Sequence, residues 1–320
     1  MKLENAKEIL ILMSERIGDA IFCTPAVAFL KQQLPQARLT ILALSKATAN
    51  VFAHNPAVAD VWISPSLKTF RAKKDQYEVL IDLHNSEKTL AYLPAWKKTA
   101  HISPRGERQL HQSEVALDFI QGLVGGALEN FKRGYQLFPQ AVEDQKIKAL
   151  LMAQGIDVRS APLLIGCHMG CYKTAARLRQ FWRKHQASRK DWPPAYFAAV
   201  QKKLYEKYPH AKLVLTGVPS EMKLIRFLHR DVPNVVNLIG QTSVLEMAAL
   251  MPYLRVFLTG DTGPLHVAVS TEVPIVALFG ETFPELTGPW PLKPQHHIFH
   301  KNPTSLIQPE EVFEQLEKYL

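Results

Sequence analysis

The sequence predicts an α/β protein built from two Rossmann-like domains, each with a parallel sheet. Continuous runs of Val, Ile and Leu bounded by glycine alternate with helical stretches, a pattern typical of parallel strands covered on both faces. Two such series of similar size are separated by a polar segment at about 138–162, and 320 residues suit two ordinary domains. We therefore expect domains at 1–160 and 161–320 that face one another across a cleft.

The predicted strands follow one another along the chain as apolar runs. The first series comprises KEILILM (7–13), ARLTILAL (37–44) and YEVLIDLH (77–84). The second comprises PLLIGCH (162–168), AKLVLTG (211–217), VVNLI (235–239), RVFLTG (255–260) and VPIVALFG (273–280). A last helix over 308–320 carries Val312, Leu316 and Leu320 at fourfold spacing, so it is expected to dock on a core.

Composition indicates a globular chain with a strong positive charge. The formal net charge is +9 with a pI near 9.3, which suits nucleic acid, an anionic membrane surface or a polyanionic small substrate. Three cysteines in no C-x-x-C pattern favour a reducing cytoplasm over a disulfide framework. No apolar run reaches the length needed to span a bilayer.

The stretch GDTGPLH (260–266) joins a predicted strand to a predicted helix. Asp261 is expected to be the N-cap, Gly263 allows close backbone approach, and the amides at the helix start suit a diphosphate. Thr262 and His266 are four residues apart, so both are expected on the helix face that reaches this ligand. The alternative is a well-capped helix with a surface histidine.

Two acids also follow predicted strands. Asp19, at a helix start after the first strand, is either a helix cap or a general base beside its neighbours Ser14, Glu15 and Arg16. Glu221 is either a ligand for a ribose hydroxyl or a first-turn acid favoured by the helix dipole. The sequence contains no P-loop and no D-x-D triplet to hold a metal–diphosphate. No G-x-G-x-x-G follows the first strand, which weakens a dehydrogenase interpretation.

The segment 172–190 contains seven Lys or Arg residues and no acid. In a helix, one face of this segment would carry an apolar stripe of Ala175, Leu178 and Trp182. Another face would carry a polar stripe that includes Lys173, Arg177 and Lys184. The segment is either an anion-facing flap or a solvated basic helix.

The chain resembles glycosyltransferase family 9, the lipopolysaccharide heptosyltransferases. The resemblance rests on five blocks in family order, which together extend over nearly the whole chain. They are ILILMSERIGDAIFCTPAVAFLKQQLPQARLTIL, KDWPPAYFAAV, LTGVPSE, NLIGQTSVLEMAALM and GDTGPLHVAVSTEVPIVALFGET. The resemblance implies a GT-B fold with an N-terminal acceptor domain and a C-terminal nucleotide-sugar domain. It also implies a terminal helix, 308–320, that can cross back onto the N-terminal domain.

The resemblance implies an inverting, metal-independent transfer of heptose from ADP-heptose to an inner-core acceptor of Kdo–lipid A type, with no cofactor. By position, Asp19 matches the catalytic base, Lys190 the lysine on the donor phosphates and Glu221 the ribose-binding acid. The donor loop is matched by Asp261, Thr262, Gly263 and His266.

The basic segment lengthens a loop that is usually short in this family, so it is the main departure from the pattern. We expect Arg16, Lys173, Arg177 and Lys184 to contact the anionic acceptor. The resemblance also implies a cytoplasmic enzyme held peripherally at the cytoplasmic face of the inner membrane, without nucleic acid as a partner. Two alternatives stay open: a family member with another sugar nucleotide or acceptor, and a basic nucleic-acid- or membrane-binding protein.

Overall fold

The computed structural model describes residues 3–103, 109–129, 131–160, 162–170 and 191–320. Contacts divide the chain into two compact units between Phe138 and Pro139. This division falls earlier in the chain than the predicted boundary at 160. The reason is that the helix Ala141–Ala153 packs on the helix Val244–Leu250 of the second unit.

The first unit contains a five-stranded parallel sheet in the order β3-β2-β1-β4-β5. Its strands are β1 (Glu8–Met13), β2 (Arg38–Ala43), β3 (Asp60–Ile63), β4 (Val79–Asp82) and β5 (Thr99–Ile102). Its helices are α1 (Ile17–Phe22), α2 (Thr24–Gln33), α3 (Lys46–Val51), α4 (Leu67–Lys73), α5 (Glu87–Leu90) and α6 (Gln112–Val124).

The second unit contains a six-stranded parallel sheet in the order β11-β10-β9-β6-β7-β8. Its strands are β6 (Leu164–His168), β7 (Lys212–Thr216), β8 (Val235–Asn237), β9 (Val256–Gly260), β10 (Ile275–Phe279) and β11 (His296–His300). Its helices are α7 (Ala141–Ala153), α8 (Pro194–Lys207), α9 (Val244–Leu250), α10 (Gly263–Val269), α11 (Pro284–Thr287) and α12 (Pro309–Glu317), with a 3-10 helix at Pro219–Phe227.

The central strands lie inside each unit, as their apolar sequences predict. In β1, for example, residues 9–13 are fully buried, because helices cover both faces of a parallel sheet. The predicted fold class of two parallel-sheet α/β domains is confirmed. The strands β3, β5 and β11 are not among the predicted ones. Their residues are mostly half-buried or exposed, so they form no continuous apolar run.

The terminal helix α12 packs on α8 and β10 of the second unit. Val312 and Leu316 are fully buried there. The nearby segment is fixed by two further hydrogen bonds: Trp192 Nε1 donates to the Ile307 carbonyl at 2.9 Å, and Thr304 Oγ1 donates to the Asp191 carbonyl at 2.8 Å. These contacts tie the C-terminus to the start of α8.

Among the helices in the described part of the chain, none combines the length and apolar character that crossing a membrane requires.

Candidate active site

The strand order of the first unit reverses beside β1. The chain runs outward through β2 and β3 and then returns to place β4 on the other side of β1. In open α/β sheets, ligands bind at the carboxyl ends of the strands at such a reversal. The residues that follow β1 and β4 include Asp19 and His84, and their side chains meet here.

Asp19 lies within the first turn of α1 and does not cap it. The N-cap residue is Arg16, and α1 has no side-chain cap hydrogen bond, so the helix-cap interpretation of Asp19 is wrong. Asp19 Oδ2 instead accepts a hydrogen bond from Ser14 Oγ at 3.2 Å and lies 3.5 Å from His84 Nε2. The Asp19 side chain remains 26% exposed. It is therefore accessible to a ligand.

The loop after β4 is held by a buried carboxylate. Asp82 Oδ1 accepts the backbone N–H groups of His84 at 2.9 Å and Asn85 at 2.8 Å. Asn85 adopts the left-handed region with φ 51°, and its side chain donates to the Ser103 carbonyl at 2.9 Å. His84 is not among the predicted site residues, although its position two residues beyond the end of β4 is a usable signal.

A pocket opens beside Asp19 in the first unit. Its wall combines polar and apolar side chains from the residues just after β4 and β5, from α1 and the residue that follows it, and from α6. The lining residues are Asp19, Phe22, Cys23, Leu83, His84, Ser103, Gln112, Val115 and Ala116. Arg16, which we expect to bind the acceptor, is not among these described lining residues. A carboxylate beside a partly apolar wall suits a hydroxyl-bearing ligand.

The second unit repeats the reversal beside β6. The last residue of β6, His168, is paired in register with Thr216 of β7 and Thr259 of β9. His168 Nδ1 is 3.1 Å from the Thr216 carbonyl, so this nitrogen donates, and Nε2 is 3.9 Å from Glu221 Oε2. Burial lowers the pKa of His168, while the Glu221 carboxylate and the hydrogen bond to Thr216 act in the opposite direction.

Glu221 fills the space between the ends of β6 and β7. It lies in the first turn of the 3-10 helix, is only 6% exposed, and accepts the Val218 N–H through Oε2 at 2.9 Å. A Cβ on Gly170 would stand 1.9 Å from Glu221 Oε1, and one on Gly217 would stand 2.7 Å from Oε2. Glycine at both positions therefore makes room for this carboxylate.

The loop after β9 differs in two ways from the sequence prediction. Thr262, and not Asp261, is the N-cap of α10, because the chain is still extended at Thr262 (φ −145°, ψ 167°) and turns helical only at Gly263. The Thr262 hydroxyl points back to the strand end, 3.3 Å from Thr259 Oγ1, and gives the helix no side-chain cap. His266 is 3% exposed, so the alternative of a surface histidine is wrong.

The structure thus brings His168, Glu221 and the loop 260–263 to the carboxyl ends of the neighbouring strands β6, β7 and β9. The predicted residues Lys173, Arg177, Lys184 and Lys190 lie outside the described residues. Within the described ranges, no group of three or more His, Cys, Asp or Glu side chains is placed to hold a metal ion.

Gly170→Ala should lower the free energy of unfolding by about 1–3 kcal/mol, the range for forcing a methyl group into a filled site. The Glu221 carboxylate has little room to move away, since Gly217 closes its other side. Urea denaturation measures the loss. The matched control is Gly122→Ala, where a Cβ would meet no atom within 4 Å. Glu221→Ala removes the carboxylate, so Gly170→Ala should cost little stability in a protein that already carries Glu221→Ala. If the losses in unfolding free energy of the two single variants simply add in the double variant, this account is wrong.

Comparison with known proteins extends these observations. The model of glycosyltransferase family 9 (heptosyltransferase) matches residues 180–315. The chain is 21% identical over 294 residues to lipooligosaccharide heptosyltransferase 2 of Campylobacter jejuni, covering 88% of this chain and 84% of that one. It is 22% identical over 313 residues to lipopolysaccharide heptosyltransferase 3 of Escherichia coli, covering 85% and 82%.

Solved structures share the fold. A family 9 glycosyltransferase from Veillonella parvula has a TM-score of 0.81 at 18% identity, covering 98% of this chain and 97% of that one. The E. coli heptosyltransferase WaaC with ADP has a TM-score of 0.67 at 16% identity, covering 98% and 100%. TibC from enterotoxigenic E. coli, described as iron-containing, has a TM-score of 0.58 at 12% identity, covering 100% and 77%.

The predicted GT-B fold class is confirmed by these structural neighbours. Together, the family model, the curated heptosyltransferases and the shared fold confirm that the chain resembles glycosyltransferase family 9.

Proposed function

We propose that the protein is an inverting glycosyltransferase that moves heptose from ADP-heptose to the Kdo–lipid A inner core of lipopolysaccharide. The observation that carries the proposal is the Asp19 carboxylate, which lies at the strand reversal of the first unit and lines a pocket there. The similarity to heptosyltransferases supports the sugar and the acceptor class.

On the acceptor side, Asp19 acts as the general base. It takes the proton of an acceptor hydroxyl as that oxygen forms its bond to the anomeric carbon of the donor. The bond from this carbon to the diphosphate breaks on the opposite face, so the configuration inverts and ADP leaves. The partial exposure of the Asp19 side chain supports this role, because a base must reach the hydroxyl within hydrogen-bond distance.

On the donor side, the ends of β6, β7 and β9 bind the nucleotide. The Thr262–Gly263 amides and Lys190 stabilise the charge that builds on the leaving diphosphate, and Glu221 holds the ribose. The Thr262 side chain gives the start of α10 no cap hydrogen bond, which supports the assignment of the Thr262 and Gly263 amides to the diphosphate. The related WaaC structure with ADP supports an adenine nucleotide.

The acceptor and the compartment are those that the resemblance implies, and the charge of the chain is compatible with both. Kdo carboxylates and lipid A phosphates are anionic, and the chain carries a formal net charge of +9. We assign Arg16, Lys173, Arg177 and Lys184 to acceptor contacts, and place the protein peripherally at the cytoplasmic face of the inner membrane. Several screened charges share this attraction, so none of them is decisive alone.

Asp19→Asn should lower kcat by on the order of 100-fold or more and leave ADP affinity nearly unchanged, because the change keeps the size and removes the base. Transfer kinetics and calorimetry measure the two quantities. Asp75→Asn, at a carboxylate that is 73% exposed, is the matched control. Turnover near that of the wild type in Asp19→Asn would remove Asp19 from catalysis.

Thr262→Ala and His266→Ala should each weaken ADP binding by about 1–2 kcal/mol if they contact the charged diphosphate. Calorimetry with ADP, UDP and GDP measures this affinity and identifies the base that the site prefers. Thr271→Ala is the control, since this hydroxyl just beyond α10 donates to the Ala268 carbonyl and accepts the Val273 N–H. Melting temperatures must accompany the data, because His266 is buried. Unchanged ADP affinity in both variants would remove this loop from the donor site.

A chelator should leave the transfer rate unchanged, since we assign the charge on the leaving diphosphate to Lys190 and backbone amides. The measurement is the initial rate after dialysis against EDTA, with and without added Mg²⁺ or iron. A rate that falls on chelation and returns with one of these ions would show that the reaction needs a metal.

A further inference from the structure

The Asp19 carboxylate is held from one side. Its described contacts both fall on Oδ2, which receives the Ser14 hydroxyl at 3.2 Å and faces His84 Nε2 at 3.5 Å. Ser14 is itself oriented, because its Oγ accepts the Arg16 N–H at 3.0 Å. Ser14 and Asp19 follow β1, and His84 follows β4 on the other side of the reversal. The arrangement therefore depends on the register of β1 and β4.

The loop that positions His84 is held by a buried carboxylate, which is energetically unfavourable. Asp82 is fully buried, and its Oδ2 has no hydrogen-bond partner among the described residues. Burying a carboxylate with one oxygen unpartnered is unfavourable, and an apolar residue there would avoid that cost. Its other oxygen, however, fixes the amides of His84 and Asn85. The buried acid therefore contributes geometry, and the side chain that this geometry presents to the pocket is His84.

We propose that His84 is a positioning residue for Asp19, an inference that rests on the proposed function. The imidazole donates its Nε2 hydrogen to Asp19 Oδ2, and Ser14 donates to the same oxygen. With Oδ2 held by two donors, the carboxylate keeps one orientation and Oδ1 remains for the acceptor hydroxyl. His84 itself neither gives a proton to the substrate nor takes one from it.

The role predicts a particular pattern of kinetics. A carboxylate free to rotate spends less time in the productive geometry, and small misplacements of reacting groups can lower rates by up to about 100-fold. Because Ser14 remains as a second donor, we expect His84→Asn to lower kcat by roughly tenfold, a partial loss of this orientation effect. The acceptor KM and ADP affinity should change by less than about twofold, since neither substrate is bound mainly by His84.

The matched variant is His84→Gln. The amide nitrogen of Gln reaches about as far along the side chain as Nε2 of His, whereas that of Asn reaches only about as far as Nδ1. His84→Gln should therefore recover most of the wild-type kcat, and a purely structural or cationic role would not distinguish the two amides in this way. Urea denaturation of both variants shows whether folding accounts for a difference.

Double variants test whether His84 acts through Asp19. If it does, adding His84→Asn to Asp19→Asn should cause no further loss of kcat, whereas independent roles would multiply the losses. A further tenfold loss in the double variant, or a His84→Asn enzyme with wild-type kcat, would overturn the inference while leaving the proposed function in place. A wild-type protein that transfers sugar from none of the activated heptose donors would overturn the proposed function instead.

One readout is independent of activity. In NMR spectra of the neutral imidazole, the Nε2–H signal of His84 should have the chemical shift of a hydrogen-bonded group and should lose it in Asp19→Ala, because the acceptor of the hydrogen is gone. His84 resonances that are the same in both proteins would overturn the inference whatever the kinetics.

Discussion

The feature on which the candidate site of each unit depends is the parallel hydrogen-bond pairing of two strands, β1 with β4 in the first unit and β6 with β9 in the second. Each pairing occurs where the chain returns to the opposite side of the first strand of its sheet. Parallel strands place their carboxyl ends at one edge, so residues far apart in sequence meet there. Asp19 and His84 are 65 residues apart, as the numbering shows, yet their side chains lie 3.5 Å from each other. A change in register would separate them.

Each unit places polar side chains at these edges and offsets the cost of burying them with backbone partners. In the first unit, Asp82 accepts two loop amides. In the second, Glu221 accepts the Val218 amide, and His168 donates to the Thr216 carbonyl. Backbone groups at strand ends are available for this purpose, since the ladder has just ended. The edge is therefore a natural location for a binding site, and the same bonds that stabilise it fix its geometry.

Much of the fold could be predicted from the sequence, because burial on both faces produces continuous apolar runs. The central strands β1, β6 and β9 were found in this way, whereas β3, with Ile63 52% exposed, has no such signal. The candidate site was predicted less fully. The positions of Asp19 and Glu221 at strand ends follow from local pattern, but His84 becomes a partner of Asp19 only through the long-range pairing of β1 and β4.

The error at the donor loop has a local cause. Asp and Thr are both good N-cap residues, so sequence preference alone does not distinguish Asp261 from Thr262. The backbone decides, because it stays extended through Thr262 and becomes helical at Gly263.

The environments of Asp19 and Glu221 support different roles for the two carboxylates. Asp19 accepts a hydrogen bond from the Ser14 side chain, lies 3.5 Å from His84 Nε2 and keeps 26% of its side chain exposed. The Glu221 side chain is 8% exposed, accepts a backbone amide and lies where two glycines make room for it. A general base must meet its substrate and release a proton afterwards, which requires access. A carboxylate that holds one hydroxyl of a ligand needs a fixed position more than it needs exposure. The assignment of Asp19 to proton transfer and of Glu221 to nucleotide binding, rather than the reverse, is therefore the one that burial favours.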